Sequence, residues 1–195
     1  MVASLALGLG LVLGSSVCAA QIPQPAPSAP AQIDVQPDPQ GAQGLIHGHI
    51  DIDAPPETVW KVVVDCGQAG RLMVGIKSCR VLQSDPAGRW DLREQYTSAS
   101  ILPPLRTVLR SDYDEPHTAR FHRMEGALRV LDGEWRLEPL DGGARTRLFY
   151  EGRMAAPFPA PGPVVRSMLR SDMPRTLENI RSASEAAVAA APHAP

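Results

Sequence analysis

Between residues 76 and 154 apolar and polar side chains alternate in short runs, the period-two signature of strands with one buried face. The pattern predicts strands over 76–83, 90–100, 105–113, 118–124, 133–140 and 144–154, and one more at 45–52, where Ile46, Ile50 and Ile52 share a face. Asp141-Gly142-Gly143 punctuates the last two as a hairpin turn. The period changes twice. After Pro55-Pro56-Glu57, a helix start with proline in its first turn, Val59, Trp60, Val63 and Val64 recur at helical spacing as far as Gly67, and a shorter helical piece covers 69–73. After Pro161-Gly162-Pro163, Val165, Met168, Leu169, Met173, Leu177 and Ile180 form one apolar stripe, with Pro174 expected to kink the helix near 170–173. A meander of that length has one long amphipathic helix to cover it. Sheet twist should therefore curl the strands around the helix, giving an α+β fold.

The ends differ from this core. Residues 1–20 carry no charged side chain and finish in Cys18-Ala19-Ala20, which reads as a cleaved export signal, with an uncleaved membrane anchor as the alternative. Residues 21–44 are rich in Pro, Gln and Ala and read as a disordered tether, and 185–195 read as a disordered tail, leaving 45–184 as the domain. A periplasmic or secreted location follows from the signal. Cleavage would remove Cys18 and leave Cys66 and Cys79, an even pair that suggests a disulfide in an oxidising compartment; two buried free thiols are the other reading.

Four segments, in this order and spacing, carry a resemblance. They are Pro56-Glu57-Thr58-Val59-Trp60 followed by Val64-Asp65; Gly75-Ile76-Lys77-Ser78-Cys79-Arg80-Val81-Leu82; Asp132-Gly133-Glu134-Trp135-Arg136-Leu137-Glu138-Pro139 with Thr146-Arg147-Leu148-Phe149-Tyr150; and 168–180. Together they make 45–184 resemble the START-like (SRPBCC) superfamily, in particular its polyketide cyclase/dehydrase and coenzyme-Q-binding branches. The resemblance implies a helix-grip fold: seven antiparallel strands wrapped around the C-terminal helix, two short helices after the first strand, and a cavity between sheet and helix. It also implies a hydrophobic ligand such as a lipid, quinone or sterol. The matched motifs are structural ones, so the resemblance assigns no catalytic residue.

Strand parity nominates the cavity wall. The set Asp91, Arg93, Gln95, Thr97 is wholly polar and is expected to face solvent, which turns Trp90, Leu92, Glu94 and Tyr96 inward. Phe121, Trp135, Leu137, Leu148 and Tyr150 are expected inward on their strands, and Met168, Leu169, Met173 and Leu177 from the long helix, either as core or as ligand contacts. An inward Glu94 needs a partner, with Arg123 and Arg110 as candidates. It would be a rim ion pair, a head-group anchor, or the general acid of a cyclase or dehydratase. Two apolar loops, Ile101-Leu102-Pro103-Pro104-Leu105 and Met154-Ala155-Ala156-Pro157-Phe158-Pro159, are expected at the cavity mouth or on a membrane surface, or packed on each other.

Charge and remaining motifs narrow the classes. With 19 basic and 21 acidic residues, scattered along the strands, the chain shows no basic face for nucleic acid. His47, His49 and Asp51 share a strand face, but no further ligand cluster accompanies them, so no metal is expected. Neither a nucleophile elbow nor a phosphate-binding glycine loop is present, and no cofactor is expected. The expected function is therefore an exported carrier of a hydrophobic small molecule, with a cyclase-type enzyme or a closed-core interaction module as alternatives.

Overall fold

The computed structural model describes residues 29–98 and 104–191. The expected signal segment and most of the first apolar loop lie outside these residues. The elements run β1 (Gln32–Gln36), β2 (Gly44–Ile52), α1 (Pro56–Val64), α2 (Ala69–Leu72), β3 (Ile76–Ser84), β4 (Trp90–Thr97), β5 (Leu105–Asp114), β6 (Thr118–Gly126), β7 (Val130–Leu140), β8 (Arg145–Ala155) and α3 (Gly162–Ala190). All strand pairs are antiparallel, in the order β1-β2-β8-β7-β6-β5-β4-β3, and α3 lies in the concave side against β1 and β2. This is the helix-grip fold, with eight strands rather than seven.

The additional strand corrects the expected tether. Gln32-Ile33-Asp34-Val35-Gln36 has the alternation of a strand, and it pairs with β2 while Val35 is 1% exposed. Beyond it, the buried carboxylate of Asp38 accepts hydrogen bonds from the backbone N–H of Gln40 and Ala42 and pairs with Arg153 at 2.8 Å. Burial opposes the charge on Asp38, but these donors outweigh it and hold its pKa below the usual carboxylate value. The expected C-terminal tail is likewise shorter, since α3 continues to Ala190.

Proline in the first turn, Glu57 near the positive end and Lys61 near the negative end start and stabilise α1, whose Val59, Trp60, Val62 and Val63 are buried. Asp141, Gly142 and Gly143 all take positive φ in the 3-10 turn joining β7 to β8, the conformation that favours glycine. The helix α3 runs through Pro174 as one element and changes role along its length. Its C-terminal half packs Leu177, Ile180 and Ser184 against Ile46, Ile50, Ile52 and Leu148, all at most 1% exposed. The N-terminal half stands off the sheet and leaves a cavity. A disulfide between Cys66 and Cys79, with Cα atoms 5.3 Å apart, ties the end of α1 to β3 beside that cavity.

Candidate functional site

The cavity has a volume of about 730 Å³ and lies between the inner face of β4–β8 and the first half of α3. That volume is within the ~300–1,000 Å³ typical of small-molecule sites. On the α3 side the wall is Val165, Leu169 and Met173, and across from it stand Leu109, Phe121, Trp135 and Tyr150. Trp135 and Tyr150 are 6% and 7% exposed, with ring centroids 4.5 Å apart, and Phe121 stacks beside Tyr150 at 6.2 Å. The mouth is apolar as well. Phe158, Val164 and Met168 border it and are 42%, 61% and 41% exposed. The second apolar loop therefore forms a lip, as the sequence suggests. It is pinned at Ala156, whose N–H donates to Gln43 and whose carbonyl accepts from Arg129.

The strand β4 reverses the expected parity. Arg93, Gln95 and Thr97 line the cavity, whereas Trp90, Leu92, Glu94 and Tyr96 lie on the opposite face of the sheet. The physical reason is that the polar residues find partners inside. Arg93 donates through Nε to Asp91 at 2.9 Å, through Nη2 to Asp91 at 2.5 Å and to the Val64 carbonyl at 3.2 Å, and to the Tyr113 hydroxyl. Tyr113 in turn donates to Asp91 at 2.7 Å. Burial opposes the charge of Arg93, yet the Asp91 carboxylate outweighs it and the pKa is raised. Burial is also the largest cause raising the pKa of Tyr113, so both groups stay protonated at neutral pH. Among the described residues, Nη1 of Arg93 and the side-chain oxygen of Gln95 accept or donate no hydrogen bond, which leaves two open polar groups on a mostly apolar wall.

Glu94 is accordingly corrected from an inward acid to an outward ion pair. Its partners are Arg80, directly opposite on β3, and Arg106 on β5, at 3.0 and 2.6 Å. Arg110 instead pairs with Asp112 and lies over the Trp90 ring, and Arg123 donates to the carbonyl of Gly126 just past a bulge in β6. The hydrogen bond from Arg106 holds the Glu94 carboxyl below its usual range, against burial and together with Arg80. Three further residues expected at the cavity, Leu137, Leu148 and Leu177, are at most 3% exposed and belong to the core below it. Phe121, Trp135, Tyr150, Met168, Leu169 and Met173 do border it. Arg93, Gln95, Ser111 and Tyr113 were not expected there from the sequence; the signal that could have found Arg93 and Gln95 is the polar alternate set of β4, read as an inner rather than an outer face, and Ser111 and Tyr113 share the inward parity of Leu109 on β5. On the outer face Asp51 is taken by Arg147 at 2.6 and 2.8 Å and His49 lies tilted beside Phe149, with ring centroids 5.8 Å apart, and among the described residues no group of three His, Cys, Asp or Glu is arranged to hold a metal ion.

A family model described as polyketide cyclase / dehydrase and lipid transport matches residues 52–181, from the end of β2 through most of α3. The chain belongs to this family. The fold agrees. The ZhuI aromatase/cyclase from a Streptomyces species superposes with a TM-score of 0.63 at 17% identity, covering 77% of this chain and 98% of its own. A STAR-related lipid transfer protein from Xanthomonas axonopodis gives 0.66 at 16% identity, covering 83% and 96%. The lipid transfer domain of human StarD13 gives 0.65 at 16% identity, covering 80% and 84%. No curated protein matches the chain.

Proposed function

We propose that this family member is an exported carrier that holds a hydrophobic small molecule, with one polar head, in the cavity between β4–β8 and α3 and performs no chemistry on it. The observation that carries the reading is the wall itself: a cavity of about 730 Å³, mostly apolar, whose lining carboxylate is the part-exposed Asp172, 4.0 Å from Arg175, and which is backed by the buried Asp91, already saturated by Arg93 and Tyr113. A carboxylate so engaged is a poor general base, while desolvation of an apolar ligand supplies affinity without any reactive group. Nη1 of Arg93 and the amide of Gln95 would receive the ligand's polar end. Solved structures that share the fold include a STAR-related lipid transfer protein and an aromatase/cyclase. The exposed lip and Val164 would touch a membrane while ligand enters, and the disulfide fits an oxidising compartment such as the periplasm.

The test is native mass spectrometry of protein purified from its own source, followed by release of the ligand by denaturation. A bound apolar molecule recovered at unchanged mass after prolonged incubation is the expected result. Protein that is empty and displaces no solvatochromic dye would overturn the carrier reading. One arrangement favours a second reading, a cyclase-type enzyme: the Tyr113–Asp91–Arg93 set could polarise a ligand carbonyl. Conversion of the released ligand by wild type, lost in Arg93→Met with binding intact, would establish that alternative. Export is checked by the N-terminus of the mature chain, expected directly after Ala20 in the periplasmic fraction.

A further inference from the structure

Gly133 on β7 and Gly152 on β8 face each other across the sheet, and both leave the concave face without a side chain at its centre. Neighbouring rings occupy that space. A Cβ added at Gly152 would lie 2.5 Å from Oη and 2.8 Å from Cζ of Tyr150, and one at Gly133 would meet the Glu151 carbonyl oxygen of the neighbouring strand first, at 2.3 Å, and then Cζ of Phe121 at 2.7 Å. The two glycines therefore leave room for Tyr150 and Phe121 to lie 20° from parallel with centroids 6.2 Å apart, and Trp135 borders the row as a tilted edge, at 52° to Tyr150 and 4.5 Å from it. The result is an aromatic floor rather than rings projecting across the cavity.

One atom of this floor has no partner. Tyr150 is 7% exposed and borders the cavity, yet its hydroxyl makes no hydrogen bond among the described residues, unlike Tyr113, whose hydroxyl is bonded to Arg93 and Asp91. Burial in apolar surroundings pushes the Tyr150 pKa up, so the group is a neutral O–H at physiological pH. The hydroxyl is not one of the enclosed unpartnered atoms but opens on the cavity, where a ligand oxygen can accept from it away from bulk water.

Resting on the carrier reading, we infer that Tyr150 determines specificity: its hydroxyl donates to an oxygen acceptor on the rim of a flat ring ligand lying on the Phe121–Tyr150–Trp135 floor. Gly152 is the positioning residue that aims it. The cavity thus selects oxygenated ring compounds over hydrocarbons of the same shape, a choice that desolvation alone does not make.

The probes are 2-acetylnaphthalene and 2-ethylnaphthalene, which share size and differ by one carbonyl acceptor, with affinity read by calorimetry or by Trp135 fluorescence. Wild type is expected to bind the ketone about tenfold more tightly. Tyr150→Phe should bring that preference to about twofold or less, leave the hydrocarbon affinity unchanged and not lower Tm, because the hydroxyl supports nothing in the fold. Gly152→Ala keeps the hydroxyl but displaces it, and should lose the preference too. Equal affinities in wild type, or a preference that survives Tyr150→Phe, overturns the proposal. A lowered Tm in Tyr150→Phe would also overturn it, by showing a structural bond. If neither naphthalene binds, the ring floor is refuted, while recovery of a ligand from the purified protein decides separately whether the cavity carries anything.

Discussion

Glu94 sits between two guanidinium groups on the outer face of β4, 3.0 Å from Arg80 and 2.6 Å from Arg106, and away from the cavity wall. Two expectations follow from that direction. Glu94→Gln should leave ligand affinity within experimental error, measured by titration against any cavity ligand; a tenfold change would place the residue back in the site. The same variant should alter the acid limb of stability. The folded pKa is depressed, so the ion pair contributes fully above the unfolded value of about 4.3 and is lost as pH falls through the lower folded value. Wild type should therefore melt above Glu94→Gln at pH 7, and the gap should close in strong acid. A gap that is constant with pH would refute the assignment. Trp135 is the opposite case, 6% exposed and packed on Tyr150. Trp135→Ala should cost about 3 kcal/mol, the lower end for a buried Trp because one side of the ring already borders a cavity. A chemical-denaturation midpoint that does not move would show that the ring carries no packing.

The elements differ in how openly the sequence declares them, and β4 shows where the reading fails. Strand positions, the hairpin at Asp141–Gly143 and the stripe of α3 are legible because buried apolar faces impose periods of two and 3.6. Parity in β4 is not, because the rule that polar residues face water assumes a dry, filled interior. Here the interior holds a cavity and the carbonyl end of α1, and Asp91, Arg93 and Tyr113 satisfy one another there. The strand β1 was hidden by composition: five residues among Pro, Gln and Ala gain order only through pairing with β2 and the bonds that Asp38 accepts. The disulfide acts at the same scale, joining the end of α1 to β3 over a separation of 13 residues. For a loop of that order, the chain-entropy contribution is about 3 kcal/mol, so Cys66→Ala with Cys79→Ala should lower Tm by about 6–12 °C. Because β3 and the Met73–Lys77 turn border the cavity, ligand affinity should fall in the same variant. Thermal melts with and without reductant check the first effect, and a reductant-insensitive wild type would show that the bond forms only a minor part of the population.

At the scale of the molecule, a curled sheet that grips a helix has one closed and one open end. The closed end is packed solid by Ile50, Ile52, Leu148, Leu177 and Ile180, and the open end leaves apolar side chains in contact with water. Soluble surfaces seldom gather such residues without a use, and here they ring an entrance. Val164, in the first turn of α3, is the most exposed of them at 61%, with the exposed cations Lys77 and Arg175 bordering the same cavity, Arg175 4.0 Å from the carboxylate of Asp172. An apolar lip between cations suits the interface of an anionic bilayer, where each inserted aliphatic side chain contributes roughly 1.5–3 kcal/mol. Val164→Glu replaces one such contribution with a repelled charge. Ligand transfer between phosphatidylglycerol-containing vesicles, followed by loss of energy transfer from a labelled lipid, should then slow by at least about tenfold. Affinity for a water-soluble cavity probe should remain within about twofold, since a side chain so exposed contributes little to a ligand already inside. Transfer that is unaffected by Val164→Glu, or by raising salt to screen Lys77 and Arg175, would mean that ligand reaches the cavity through water and that the lip is only the edge of the core.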